Sequence, residues 1–289
     1  MSESVQRGLT RRRWIFRAAG WVAGTGLAGL AVPAYARWVE PDWLAVERVR
    51  VPVSGLPDRL AGFTIAHLSD FHADGYLSER LMERVVAEVR AARPGMVALT
   101  GDFITSNRAG LERLGQWVGQ MDAQHGIFGC MGNHDRWHGR GLVEKALRSM
   151  GAELLVNRGV RLPNGLFVAG VDSAWGGQPD LRSTMAAHSG SDPTVLLAHE
   201  PDFADAYALD ERVRVQLSGH THGGQVRVPG WGAPILPRYG QKYDAGLFRV
   251  GSLHLYTNRG LGMVGVPFRI ACPPELSLLS LVPAEAAQS

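Results

Sequence analysis

This chain of 289 residues has only two cysteines, Cys130 and Cys272, which excludes a disulfide-stapled scaffold and a thiolate-rich zinc site. Cys130 lies in an apolar run from Ile127 to Met131, and the pair reads as two separate buried thiols, with a single bridge as the alternative. Low-complexity blocks, long linkers and internal repeats are also missing, so residues 37–289 read as one domain. Nor is there a basic excess to hold nucleic acid. The formal charge is +3, but residues 1–36 carry five of the 30 basic residues and one of the 27 acidic ones, leaving the remainder at about −1. What the chain has in quantity is apolar: 45% of it is hydrophobic, ample for a substantial core.

The N-terminal arginines belong to a targeting segment. Arg12-Arg13-Trp14-Ile15-Phe16-Arg17 resembles the twin-arginine export signal, and an uncharged, Gly/Ala-rich stretch follows from Ala18 to Ala36. An amphipathic surface helix is excluded there, because no charge is available to build a polar face. Two readings stay open for residues 1–36. Ala34-Tyr35-Ala36 fits a small-x-small cleavage site, while the stretch approaches the ~20 residues that a retained membrane anchor needs. Either implies export by the twin-arginine machinery, which carries folded proteins with cofactors already bound, to the periplasm or the outer face of the cytoplasmic membrane.

Strand and helix patterns alternate through the first half. Phe63–Leu68, Met96–Leu99 and Ile127–Met131 are short apolar runs typical of buried strands. Between them, Ser78 can cap a helix with Leu81, Met82, Val85, Val86 and Val89 on one face, ending before Pro94. Leu111, Leu114, Trp117, Val118 and Met121 mark a second helix, and Leu142, Val143, Ala146, Leu147 and Met150 a third. The second half is richer in strands: Leu154–Val156, Leu166–Val171, Thr194–Ala198, Val213–Leu217, Leu253–Thr257 and Leu276–Val282, with short helices at Arg182–Ala187 and Phe203–Leu209. This predicts an α/β (α+β) fold, two mixed sheets packed together with helices outside.

Five polar clusters each follow one of the apolar runs: Asp70-Phe71-His72, Gly101-Asp102, Gly132-Asn133-His134-Asp135, His199 and Gly219-His220-Thr221-His222. Ligand sites in open α/β sheets form beyond the carboxyl ends of strands, and all five clusters occupy such positions. Aspartates, an asparagine and histidines make a mixed oxygen and nitrogen donor set, suited to Mn, Fe, Zn, Ni or Co rather than Ca or Mg.

The ordered set of clusters resembles the calcineurin-like metallophosphoesterases over roughly residues 60–282. Gly219-His220-Thr221-His222-Gly223-Gly224-Gln225 and Arg259-Gly260-Leu261-Gly262 are similar to the bacterial exported or membrane-associated phosphodiesterase branch, which includes enzymes like UDP-2,3-diacylglucosamine hydrolase. The resemblance implies a four-layer αββα sandwich and a two-metal hydrolase of ester bonds, with Mn as the favoured ion. Asp70, His72 and His222 would bind one ion, Asn133, His199 and His220 the other, and Asp102 both. A hydroxide between the ions would attack phosphorus, and His134 would lie near the leaving group as the catalytic acid. One departure matters: protein-phosphatase members carry Asp then Arg where this chain has Thr105 and Ser106. That leaves the partner of His134 undefined and favours phosphodiester or pyrophosphate substrates, among them a lipid or cell-envelope precursor. The alternatives are a phosphomonoesterase and a non-catalytic metal-binding module on the same fold.

Other residues admit two readings. Arg259 either binds a substrate phosphate or makes an ordinary salt bridge. The stretch from Pro229 to Pro237 is either a lip for a lipid chain or membrane surface, or a rigid hairpin loop. Trp137 and His138 fall near the site or simply pack. His67 reads as a satisfied core group, and His125, His188 and His254 as structural.

Overall fold

The computed structural model describes residues 31–284, so the paired arginines and most of the uncharged stretch lie outside the described residues. Residues 31–38 are helical and dock on the body, where the Ala36 carbonyl accepts from the Arg269 amide at 3.0 Å. Among the described residues no helix is long and apolar enough to cross a membrane.

Among the described residues twelve strands form two six-stranded mixed sheets. The first contains β1 (Ala45–Val53), β2 (Thr64–Leu68), β3 (Met96–Leu99), β4 (Ile127–Gly129), β5 (Ala152–Leu154) and β12 (Glu275–Pro283), in the order β1-β12-β2-β3-β4-β5. The second contains β6 (Arg158–Arg161), β7 (Phe167–Gly170), β8 (Thr194–Leu197), β9 (Val213–Ser218), β10 (Gly246–Val250) and β11 (Leu253–Thr257), in the order β10-β11-β9-β8-β7-β6.

The sheets pack face to face, and helices cover their outer faces. On β3, Met96 and Ala98 enter the layer between the sheets, while Val97 and Leu99 face the helices. On β8, Val195 and Leu197 point inward and Leu196 outward. A strand buried on both faces reads as a continuous apolar run, which is why these were recognisable. Helices α1 (Glu79–Ala92), α2 (Ala109–Val118) and α3 (Asn133–Ser149) cover the first sheet; the short α4 (Leu181–Thr184) and α5 (Ala204–Tyr207) cover the second. Ser78 caps α1, its Oγ accepting from Leu81 N at 3.1 Å. The expected four layers are therefore present.

Three strands escape the sequence pattern, and each is an edge strand: β1, β6 and β10. Edge strands are half solvated, so their sequences alternate charged with apolar residues and carry Pro52 or Gly159. The third helix also begins earlier than Leu142 suggests. It starts at Asn133 and breaks at Gly139, whose φ of 146° a side chain would resist. Both cysteines are buried free thiols.

β2, β3 and β4 run parallel, as do β8 and β9. Each of the five polar clusters follows the carboxyl end of one of these strands, where the two sheets open.

Candidate metal centre

Six of the seven proposed ligands form two groups: Asp70, His72 and His222, and Asp102, His199 and His220. Within each group the donor atoms lie within 4.8 Å of one another. Asp102 stands between the groups. Its Oδ2 is 3.2 Å from His199 Nε2 on one side and 3.7 Å from His72 Nε2 on the other, the placement a bridging carboxylate requires. Asn133 is buried, and its Oδ1 has no hydrogen-bond partner.

The donor set fits divalent ions on several counts. Nε2 of His72 and Nε2 of His222 face each other at 3.1 Å. Two imidazole nitrogens so close have a natural explanation as neighbouring ligands of one cation. His199 Nε2 is buried and forms no hydrogen bond. The opposite ring nitrogens are occupied: His199 Nδ1 donates to Thr100 O at 2.6 Å, His220 Nε2 to Arg238 O at 2.8 Å, and His72 Nδ1 lies 2.9 Å from Thr105 Oγ1. Such outer partners fix ring orientation and leave the second nitrogen for the metal.

Electrostatics points the same way. Burial drives the His72 imidazole down to about 3, against the pull of Asp102, so the ring is neutral and available as a ligand. Burial alone would raise Asp70 and Asp102, yet the neighbouring histidines hold both carboxyls well below the usual range. The pocket therefore keeps two carboxylates ionised in a region closed to solvent, where cations are the natural counter-charge.

Backbone conformation at the site is unusual. Asp70, His72, Asp102, His220 and His222 all have φ between 43° and 73°, in the left-handed region. Non-glycine residues enter it at a cost of about 1–2 kcal/mol each, and such strain gathers at functional sites. The surrounding structure holds these turns. His220 N donates to both Asp70 oxygens at 3.1 and 2.9 Å, and His134 N donates to Asp102 Oδ1 at 3.0 Å. Glycine is required where loops cross: a Cβ on Gly219 would lie 1.8 Å from Ser69 Oγ and 2.2 Å from Asp70 Oδ2.

Sequence reasoning gave no role to Asp135, Asp74 or Trp175. Asp135 is buried and ties two ligand loops together, accepting from Phe103 N and Gly132 N, each at 2.9 Å. Burial and the neighbouring Asp102 push its carboxyl up to about 8. Asp74 holds the loop after Asp102 by accepting from Thr105 N, Ser106 N and Asn107 N at 2.6, 2.8 and 2.7 Å. Trp137 packs edge-on against His134 and Trp175 edge-on against His220, both with ring faces partly open, making an aromatic wall beside the centre. His134 itself donates from Nδ1 to the Thr105 carbonyl at 3.0 Å.

Arg259 makes the salt bridges of the alternative reading: its Nε donates to Glu275 at 2.5 Å and its Nη2 to Glu47 at 2.6 Å, which commits two of its five N–H groups to carboxylates. His67 is a core group, with Nε2 2.8 Å from Thr100 Oγ1 and a pKa lowered to about 3 by burial. His125 packs on Phe63, and His188 lies 3.0 Å from Asp192 O.

A model of the calcineurin-like phosphoesterase family matches residues 63–224. An uncharacterized metallophosphoesterase of Bacillus subtilis, YkuE, is 31% identical over 280 residues, covering 94% of this chain and 98% of its own. The phosphodiesterase YaeI of Escherichia coli is 31% identical over 281 residues, covering 95% and 100%. Among solved structures, a sulfate thiohydrolase from Thermus thermophilus, SoxB, superposes with a TM-score of 0.48 at 17% identity, covering 80% of this chain and 58% of that one.

Proposed function

The chain belongs to the calcineurin-like phosphoesterases, and on that premise we propose that it hydrolyses phosphodiesters with divalent ions held by Asp70, His72 and His222 and by Asn133, His199 and His220, Asp102 serving both. The observation that carries this reading is the position of Asp102 Oδ2 between the two histidine groups. Bound ions would neutralise the phosphate and activate the attacking water. Manganese is the proposed ion, since mixed carboxylate, amide and imidazole donors accept it readily.

The chain's own residues divide the remaining work. A carbonyl only accepts, so the bond from His134 Nδ1 to Thr105 O places the neutral ring's proton on Nδ1. Nε2 is then the nitrogen that can take up a second proton, and the ring protonated on both nitrogens is the proposed acid, giving the Nε2 proton to the leaving oxygen and returning to the Nδ1–H form. Trp137 and Trp175 pack edge-on against each other beside it, their ring centroids 5.1 Å apart.

Diesters are favoured over monoesters because nearby cations are engaged elsewhere. Arg136 pairs with Asp172 at 3.4 Å and Arg259 with Glu47 and Glu275, and Ser106 replaces the arginine of the protein phosphatases. No free guanidinium from these residues awaits the second charge of a monoester. The name of the similar YaeI, a phosphodiesterase, agrees.

We further propose that the protein works at the outer face of the cytoplasmic membrane, exported through the twin-arginine machinery and retained by its N-terminal segment, on a lipid or envelope phosphoester. Ala36 is buried in the docked helix, which supports retention over cleavage after it, and Val32, Trp38 and Trp43 expose apolar surface nearby.

The test compares manganese-loaded protein on bis(p-nitrophenyl) phosphate and p-nitrophenyl phosphate. Faster hydrolysis of the diester, lost by at least about a hundredfold in Asp102→Asn, is expected. Faster hydrolysis of the monoester would favour a phosphomonoesterase, and undiminished activity of the variant would remove the mechanism.

A further inference from the structure

A cavity of about 540 Å³ lies against the metal centre, within the range of small-ligand sites. His220 and His222 line it together with Val226, Ile235, Leu236, Val264, Val266 and Phe268. We propose that it is the subsite for an unbranched aliphatic chain carried by the phosphoester, which makes the substrate class a lipid-type phosphodiester; the inference rests on the function proposed above.

The walls are largely apolar. Of the polar side chains that line the cavity, Gln225, Thr221 and His220 direct hydrogen-bonding groups into the protein. Gln225 accepts from Val264 N through Oε1 at 2.7 Å and donates to Val266 O through Nε2 at 3.2 Å. Thr221 Oγ1 donates to Asp244 O at 2.6 Å and accepts from Gly223 N at 3.0 Å. His220 Nε2 is held by Arg238 O. Among the described residues no Asp, Glu, Lys or Arg lines the space. A headgroup rich in hydroxyls would find few partners there, whereas hydrocarbon would lose nothing but water contact.

The outer wall is a fixed element. The turn at Val228–Gly232 closes a small hairpin, and Ala233 packs so tightly over Gly224 that an added Cβ would sit 2.3 Å from the Ala233 Cβ. Residues 229–237 thus form a packed hairpin loop, and Pro234, Ile235, Leu236 and Pro237 of it line the cavity. Two of the apolar walls reach solvent, Ile235 79% and Val266 42% exposed. Phe268 adjoins Arg269, whose amide holds the N-terminal helix at Ala36. An aliphatic chain drawn from a lipid surface would thus enter over Ile235 and Val266 while its phosphate reaches the two histidines.

The probe is a series of alkylphosphonates from methyl to dodecyl, below their micelle concentrations, titrated calorimetrically into the full-length manganese-loaded protein. Affinity should strengthen with chain length by up to about fourfold per buried methylene, the equivalent of about 0.8 kcal/mol, and level off once the cavity is full. Ile235→Asp and Val266→Asp, both at solvent-reaching positions that tolerate a charge, should each flatten this dependence, with methylphosphonate as the reference in each variant. A series that does not strengthen with length overturns the subsite, as does a slope that survives both substitutions. A clear slope in a protein that hydrolyses no diester would uphold the subsite and strike the catalytic reading alone.

Discussion

The backbone carbonyl of Thr105 accepts a hydrogen bond from Nδ1 of His134 at 3.0 Å. This is the position where protein-phosphatase relatives place an aspartate side chain, so a main-chain dipole takes over the orienting contact. The Thr105 hydroxyl is occupied elsewhere, 2.9 Å from His72 Nδ1. One residue thereby orients both a candidate ligand and the candidate acid, and Asp74 holds that residue in place through three successive amides.

Asp74 is accordingly a positioning residue. An asparagine there offers one acceptor oxygen in place of two and cannot hold all three amides equally. Asp74→Asn should lower turnover about tenfold on diesters with an alkyl leaving group, the equivalent of about one charge-assisted hydrogen bond. On p-nitrophenyl diesters, whose leaving group needs little proton donation, the loss should stay within about threefold. His134→Asn should show the same contrast at larger size, roughly 10²–10⁴ on the alkyl substrate. Equal losses on both leaving groups would assign Asp74 to general stability instead.

Chelation should both inactivate and destabilise the protein. The buried carboxylates of Asp70 and Asp102 and the left-handed turns around them are sustained by the packing, and bound cations add linkage stabilisation. At a free metal concentration a hundred times the dissociation constant, that term is about 2.7 kcal/mol. Metal analysis should find two ions per chain, and a stripped sample should melt earlier and recover on adding manganese. An unchanged melting temperature would mean that the ions contribute nothing to the folded state.

Gly219→Ala is expected to break the centre without unfolding the sandwich. The new Cβ would collide with Ser69 Oγ and Asp70 Oδ2, so Asp70 must leave its position. Metal content should fall to one ion or fewer and activity by more than about a hundredfold, while the circular dichroism spectrum stays that of the parent. Full metal loading in the variant would show that the two loops can separate freely.

How much of this could be read from residues alone follows burial. β3 is legible at Met96–Leu99 because a strand buried on both faces carries an unbroken apolar run. The ligand clusters were visible because strand ends concentrate Asp, Asn and His in a short span. β1, β6 and β10 were hidden by the polar alternation of edges. The carbonyl of Thr105 could not be seen at all, since a main-chain acceptor is common to every residue and only folding selects it. Asp74 lacked a motif for the same reason: its partners are amides, not side chains. The cavity under Ile235 and Val266 joins segments about thirty residues apart, and no local pattern announces it.

Arg259 offers the sharpest separation of a structural role from a substrate-binding one. Its guanidinium joins Glu47 on β1 to Glu275 on β12, and Glu275 is almost wholly buried. Removing the arginine leaves that carboxylate with the hydroxyls of Tyr256 and Ser277, each at 2.6 Å, as its remaining donors. The charge would keep part of its hydrogen bonding but lose its counter-ion. Arg259→Met should therefore destabilise the protein by about 1–3 kcal/mol in urea unfolding. Adding Glu275→Gln should recover much of the loss, because the buried charge is then gone. The KM for a short-chain diester should stay within about twofold of the parent throughout, since the two carboxylates hold the guanidinium in a structural role. A KM raised tenfold or more in Arg259→Met at unchanged stability would return the arginine to the substrate and require the two glutamates to release it on binding.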